Sequence, residues 1–383
     1  MQLPGIPFKI NTPEPLLDDL RARLINTRWP NQPVDSTWEY GTDSVYLQRL
    51  VQFWARDFDW QAWEARINAF EQRLVEVDGQ VVHVLIEQGS GDNPLPLLLT
   101  HGWPGSFLEF IDLIEPLAHP ERFGGRVEDA FTVVLPSLPG YGFSPSPATP
   151  LGPRAIARLW GKLASEELGF KQYVAQGGDW GSVVTGLMSR QQPPGLRAVH
   201  LNMCGNVPVI GPDESLAPEE QTWFGRVAAM QMQEGAYQQI QGTKPQSLAY
   251  GLTDSPAGLA GWICEKFQSW TLGASDQDPP FSLDWMAANL TLYWLNGING
   301  ANWLYHAARS GQDSRVAIEE RNTVPAGFSL FPNDLIAPPP RCLLERIFDV
   351  HHYRVFDSGG HFPALEKGPL FVDELRRFFA DFR

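Results

Sequence analysis

Six residues, Gly177-Gly178-Asp179-Trp180-Gly181-Ser182, restrict the architecture more than any other stretch of the chain. They follow Gln172-Tyr173-Val174-Ala175-Gln176, whose β-branched and aromatic content predicts a short buried strand. They lead into Ser182-Val183-Val184-Thr185-Gly186-Leu187-Met188, which predicts the start of a helix. Gly177 and Gly181 flank Asp179 symmetrically, each two residues away. That is the spacing of a nucleophile elbow, a strained strand-to-helix turn that pushes one side chain into the open. A Cβ at either glycine would collide across so tight a turn. The presented residue is an aspartate rather than a serine. A carboxylate attacks an sp³ carbon by displacement and leaves an ester on the protein. This chemistry suits carbon–oxygen rings and carbon–halogen bonds better than amides. The same residues also fit a glycine-rich turn around a solvated or capping aspartate, so the rest of the chain has to decide.

The length of 383 residues accommodates one large domain or a core with additions. A hydrophobic content of 43%, with 12% aromatic, suffices for a sizeable core. The formal charge of −15 argues against nucleic acid or an anionic membrane surface as partner. Three scattered cysteines, Cys204, Cys264 and Cys342, form neither a disulfide framework nor a metal pattern, which points to a reducing compartment. Met1-Gln2-Leu3-Pro4-Gly5 lacks the charged and apolar regions of a signal peptide, and no apolar run approaches a membrane span. The expectation is a soluble, cytoplasmic protein.

Residues 1–72 are predicted to be a helical, tryptophan-rich extension. Thr12 is placed to cap a helix with Pro13 at its first position, and Leu16, Leu20 and Leu24 to share one face. Ser44 opens a second helix and Asp59 a third. From Leu74 the period changes. Leu74–Val77 and Val81–Ile86 flank the hairpin signal Asp78-Gly79. Strands are expected at Leu95–Thr100, Phe131–Leu135 and Leu196–Leu201, with helices over Ser106–Leu117 and Arg154–Leu168. An opening hairpin followed by alternating strands and helices predicts a mostly parallel α/β sheet covered on both faces, with the site at the carboxyl ends of the strands. Residues 207–322 show helical patterns and no clear strand. That is too much chain for one connection, so they are expected to form an inserted helical cap. The α/β core is then 73–206 and 323–383.

Three motifs fall at predicted strand ends. His101-Gly102-Trp103-Pro104-Gly105-Ser106 follows the strand ending at Thr100, and the backbone N–H of Trp103 with that of Trp180 suits an oxyanion hole. His101 itself reads as structural. Asp334, in Phe331-Pro332-Asn333-Asp334-Leu335, is the natural acid of a triad, or otherwise a turn residue before a helix. His361, in Gly359-Gly360-His361-Phe362, alone among the eight histidines lies at a strand end after both acids. The order Asp179, Asp334, His361 is that of nucleophile, acid and histidine in an α/β-hydrolase fold.

The combination resembles the microsomal-type epoxide hydrolase family, including its soluble fungal and bacterial members, over nearly the whole chain. The resemblance rests on Pro7-Phe8-Lys9-Ile10, Arg28-Trp29-Pro30 and Phe58-Asp59-Trp60 in the extension, and on the three core motifs. In the cap, Glu234-Gly235-Ala236-Tyr237 with Gln241-Gly242-Thr243-Lys244-Pro245 is similar to the segment bearing one of that family's two acidic tyrosines, and Tyr305 falls where the second is expected. The membrane anchor of the microsomal members has no counterpart, so their localisation is not carried over. The resemblance implies that Tyr237 and Tyr305 activate an epoxide oxygen, Asp179 forms an alkyl ester, and His361, oriented by Asp334, activates water. It implies no metal and no organic cofactor. The expected partners are a small-molecule epoxide and water, with no nucleic acid and no membrane anchor, and it leaves room for a homodimer. Two alternatives stay open: a haloalkane dehalogenase, and a catalytically silent ligand-binding homologue.

Overall fold

A computed structural model describes residues 4–211, 214–272, 275–311, 313–318 and 322–383; Met1, Gln2 and Leu3 therefore lie outside the described residues. The first strand is β1 (Ile6–Pro7), followed by helices α1 (Glu14–Ile25), α2 (Ser44–Arg56) and α3 (Trp60–Ile67). The central part runs β2 (Glu71–Val77), β3 (Gln80–Glu87), β4 (Leu95–Thr100), α4 (Ile114–Ala118), β5 (Phe131–Pro136), α5 (Pro153–Lys162), β6 (Tyr173–Gly177), α6 (Trp180–Gln191) and β7 (Leu196–Leu201). A helical stretch follows: β8 (Val207–Val209), α7 (Pro218–Glu234), α8 (Ala236–Thr243), α9 (Pro245–Asp254), α10 (Pro256–Leu272), α11 (Leu283–Asn296), α12 (Asn299–Gly311) and β9 (Arg315–Ala317). The chain closes with β10 (Pro325–Leu330), α13 (Arg341–Glu345), β11 (Asp349–Val355), α14 (Pro363–Glu366) and α15 (Gly368–Phe379).

Among the described residues, nine strands form one sheet in the order β1-β2-β3-β5-β4-β6-β7-β10-β11. The β1 to β5 side is antiparallel, and from β5 through β4, β6, β7 and β10 to β11 every pairing is parallel. The hairpin between β2 and β3 turns on Asp78 and Gly79, with φ of 49° and 79°. Two consecutive left-handed residues make the type I′ turn that matches strand twist, which is why an Asp-Gly pair marks it. Strands β5 and β6 are buried at every position, as a sheet covered on both faces requires. This is the α/β-hydrolase arrangement, and β6, which ends at the elbow, lies inside the parallel part of the sheet with β4 and β7 as neighbours.

The first 70 residues carry α1, α2 and α3 joined by loops, Ile6–Pro7 adds an antiparallel edge strand to β2, and the strand pattern begins at Glu71, just before the expected boundary at 72. The cap of α1 is Pro13 rather than Thr12, and Thr12 Oγ1 instead accepts from Trp60 Nε1 at 2.8 Å. The buried face of α1 is Leu17, Leu20 and Leu24, while Leu16 is 50% exposed. The buried residues are spaced i, i+3, i+7 rather than i, i+4, i+8, a face turned slightly about the helix axis. The tryptophans are more than filling. Trp54 Nε1 donates to Thr291 Oγ1 and Trp63 Nε1 to Asp284 Oδ2, both at 2.9 Å, so the extension docks on α11 through buried aromatic bodies with satisfied N–H groups.

The stretch between β7 and β10 is helical, but it contains one small parallel ladder, β8 with β9, contrary to the expectation of no strand. Each strand is three residues long and its partner lies over a hundred residues away, below the reach of a periodicity signal. Gly235 separates α7 from α8.

Candidate active site

Asp179 sits at the turn from β6 into α6 with φ 49° and ψ −126°, a strained conformation for a residue with a side chain. The flanking glycines explain how the backbone gets there. A Cβ on Gly177 would lie 2.1 Å from the Gly181 carbonyl oxygen, and one on Gly181 would lie 2.0 Å from that of Thr100. Asp179 does not cap α6 with its carboxylate; the side chain is turned out of the helix. Its Oδ1 accepts from the backbone N–H of Trp103 at 2.7 Å. Trp180 opens α6, where backbone N–H groups lack intrahelical acceptors.

The loop from His101 to Ser106 is fixed from two sides. His101 is buried; Leu138 N–H donates to its Nε2 at 3.2 Å, and burial holds the imidazole down at about 4, so it is a neutral structural group. From above, α11 clamps the loop. Asn289 Nδ2 donates to the Pro104 carbonyl at 2.9 Å, and Tyr293 Oη to that of Gly105 at 2.7 Å. Gly102 is obligatory, since a Cβ there would lie 2.2 Å from Asp179 Oδ1.

His361 follows β11 and Asp334 follows β10, and the two loops are tied by Asn333 N–H donating to the Gly359 carbonyl at 3.1 Å. Gly359, at φ 116°, passes so close to Phe331 that a Cβ would lie 2.6 Å from its ring. His361 Nδ1 is 2.6 Å from Asp334 Oδ1. Its Nε2 is 3.3 Å from Asp179 Oδ2 but off the hydrogen-bond line, which leaves that buried nitrogen without a partner. Burial alone would push the imidazole down; Asp334 first, then Asp179, overcome it and push His361 up to about 10. The three residues meet at the carboxyl ends of β6, β10 and β11.

Tyr237 is the second residue of α8, and Tyr305 lies in α12, which packs on α8. The two rings are 5.8 Å apart. Tyr237 stacks on Trp103 at 5.1 Å, and Tyr305 stands edge-on to Trp180 at 4.8 Å. Burial, reinforced by the charge of Asp179, raises both phenols well above their ordinary value, so they stay protonated and can donate. Asp179, Trp180, Tyr237 and Tyr305 share the wall of a cavity of about 260 Å³ whose exposed lining is mostly apolar. Among the described residues no cluster of His, Cys, Asp or Glu is arranged to hold a metal ion, and no helix is long and apolar enough to cross a membrane.

Several supporting residues carry no signal in the sequence. Gln231 Nε2 donates to Gln238 Oε1 at 3.2 Å, and Gln238 Nε2 donates to Tyr237 Oη at 2.8 Å, which commits the phenol's own proton to another acceptor. Glu366 in α14 accepts from the N–H groups of Gly360 at 2.8 Å and Phe362 at 2.9 Å, bracketing His361. Glu366→Ala strands both donors. The expected cost is on the order of 2–4 kcal/mol, read as a lower Tm by circular dichroism; an unchanged Tm would mean that the loop is held by other contacts.

Residues 6–110 match the model for the epoxide hydrolase N terminus, and residues 96–367 match that for the alpha/beta hydrolase fold. A Stigmatella aurantiaca protein that carries an epoxide hydrolase name is 40% identical over 98% of this chain and 85% of its own length. Epoxide hydrolase 1 of Sus scrofa is 31% identical over 97% of this chain and 88% of its own. Among solved structures, the Aspergillus niger epoxide hydrolase superposes with a TM-score of 0.84 at 31% identity, over 99% of this chain and 97% of its own. The juvenile hormone epoxide hydrolase of Bombyx mori gives 0.87 at 27% identity, over 100% of this chain and 98% of its own.

Proposed function

The chain belongs to the epoxide hydrolase family of the α/β-hydrolase fold, and from that premise we propose that it opens an apolar epoxide to a vicinal diol through a covalent ester on Asp179. One observation carries the reading: two protonated phenols and the elbow carboxylate face a single, largely apolar cavity. Residues 207–322 act in it as a cap over the core of 73–206 and 323–383, and the extension of 1–72 supports that cap.

The chemistry divides between the two carboxylate oxygens. Oδ1 is held by Trp103 N–H, so Oδ2 is the attacking atom. It bonds to a ring carbon as the carbon–oxygen bond breaks, and the departing oxygen takes a proton from Tyr237 or Tyr305. Gln238 steadies the phenolate that remains on Tyr237. Ester formation removes the negative charge of Asp179, one of the influences that hold His361 protonated. The imidazole sheds its proton, which balances the one the tyrosine gave up. His361 then takes a proton from water as the water oxygen adds to Cγ of Asp179, while Asp334 holds the imidazolium. The tetrahedral oxyanion on Oδ1 is met by the N–H groups of Trp103 and Trp180. Collapse breaks the bond between Cγ and Oδ2; the diol leaves with that oxygen and the proton from His361.

Haloalkane dehalogenation is the second reading. The buried indole N–H groups of Trp103 and Trp180 have no hydrogen-bond acceptor and could hold a leaving halide. A halide, however, needs no proton, which leaves two convergent phenols without a use. Incubation with styrene oxide and with a bromoalkane, assayed for diol and for halide, separates the readings. Diol without halide is expected; halide without diol would replace epoxide opening by dehalogenation.

The phenols are tested by their removal. Tyr237→Phe and Tyr305→Phe each slow alkylation, by about 10–100-fold, and the double variant nearly abolishes it, with non-additive effects because one donor partly covers for the other. Stopped-flow tryptophan fluorescence follows the step, given Trp180 beside the nucleophile. Parental alkylation rates in the double variant would rule the tyrosines out as proton donors.

A further inference from the structure

Asp179 is shared by two cavities. The larger holds the phenols. The smaller is about 10 Å³ and lies against Asp179, His361, Glu109, Asn202, Phe110 and Phe362. Apart from Asp179, the residues lining the two cavities do not overlap. About 10–15 Å³ of accessible space seats one water molecule, provided two to four polar groups line it. Those groups are present. His361 Nε2 is buried without a hydrogen-bond partner. Asn202 is fixed by Gln176 Nε2, which donates to its Oδ1 at 2.7 Å. Glu109 is folded back beside the loop: a Cβ on Gly105 would lie 1.7 Å from its Oε1. The mechanism set out above makes no use of this acid.

We propose that the small cavity seats the hydrolytic water between His361 Nε2 and the Glu109 carboxyl, and that Glu109 is the positioning residue for hydrolysis of the ester. The inference rests on the ester mechanism and adds its second site. With epoxide on one flank of Asp179 and water on the other, neither displaces the other. His361 takes one hydrogen of the water, a Glu109 oxygen accepts the second, and the remaining lone pair faces Cγ. Burial, with the charge of Asp179 adding to it, pushes Glu109 up to about 8 against the opposing influences of His361 and the Gly102 backbone. Near neutrality the group is therefore mostly an uncharged carboxyl, able to accept through its carbonyl oxygen without repelling the nucleophile.

The test resolves the two half-reactions in Glu109→Leu and Glu109→Gln by stopped flow and by intact-protein mass. In Glu109→Leu, hydrolysis of the alkyl-enzyme falls about tenfold or more, the loss of one oriented hydrogen bond, while alkylation stays within about threefold. Glu109→Gln keeps a carbonyl acceptor and most of the hydrolysis rate, but its pH profile loses the inflection that a titrating Glu109 gives the parent. Alkylation and hydrolysis falling together in Glu109→Leu would overturn the proposal, since a structural role moves both. Hydrolysis at the parental rate, or identical pH profiles for parent and Glu109→Gln, would also overturn it. If Glu109→Leu does not fold, the Glu109→Gln profile decides alone. Failure of the parent itself to form an alkyl-enzyme would instead sink the ester mechanism, so the two failures are distinct.

Discussion

Asp179→Ala abolishes diol formation, by at least about 10⁴-fold, the scale seen when a nucleophile is removed from a catalytic unit, and the protein remains folded. The elbow is built by what surrounds the aspartate. Gly177 and Gly181 leave room for the carbonyls that cross it, and α6 starts at Trp180 without help from the carboxylate. The substitution leaves Trp103 N–H without its acceptor and His361 without one of its two anionic neighbours. A stranded donor costs about 1–3 kcal/mol, which a chain with so extensive a buried core tolerates. Chromatographic assay of diol alongside a thermal melt separates the two effects. Residual turnover within tenfold of the parent would show that the carboxylate does not attack.

The second large effect falls on the other half-reaction. His361→Gln still opens the epoxide but cannot deprotonate water, so the ester accumulates. Hydrolysis is expected to slow by about 10²–10⁴-fold, the usual contribution of a positioned general base. The accumulated species is one epoxide heavier than the free protein, which intact-mass measurement detects directly. Asp334→Asn impairs the same step less completely, because the imidazole remains while its orientation and charge support are lost. Another acid could serve only if it reached His361 Nδ1. Asp334 is 2.6 Å from that nitrogen with its side chain almost fully buried, whereas Asp357 is exposed. An Asp334→Asn enzyme with undiminished turnover would reopen the identity of the partner. A His361→Gln protein that turns over without a detectable adduct would place the base elsewhere.

The elbow at Asp179, the meeting of Asp179, Asp334 and His361 at strand ends, and the closeness of the His101–Ser106 loop to Asp179 were legible because each depends on local chain chemistry. Glycines at fixed offsets, a strand pattern before them and the chain order of three candidate residues survive in a linear text. The boundaries were less legible where the signal is rotational or distant. Leu16 and Leu17 each fit an apolar face shared with Leu20 and Leu24, and only tertiary packing chooses between them. The β8–β9 pairing joins two three-residue segments far apart in the chain. The supporting residues were not legible at all. Glu109 lies between Leu108 and Phe110 and reads as the polar side of a surface helix, yet its carboxyl folds inward over a glycine that has no side chain to oppose it. Glu366 and Gln238 are ordinary polar residues on helices until their partners, two backbone N–H groups and a phenol, are brought to them by tertiary packing. The clamp of α11 on the His101–Ser106 loop joins segments more than 180 residues apart.

The account stands on a covalent ester at Asp179, and a single turnover in heavy-oxygen water tests it most directly. With enzyme in excess over epoxide, the oxygen added to the diol comes from Asp179 Oδ2, so the first diol released is unlabelled and the heavy isotope is found on Asp179 by peptide mass analysis. First-turnover diol carrying the solvent label, with Asp179 unlabelled, would mean that water attacks the ring directly and would contradict the ester mechanism.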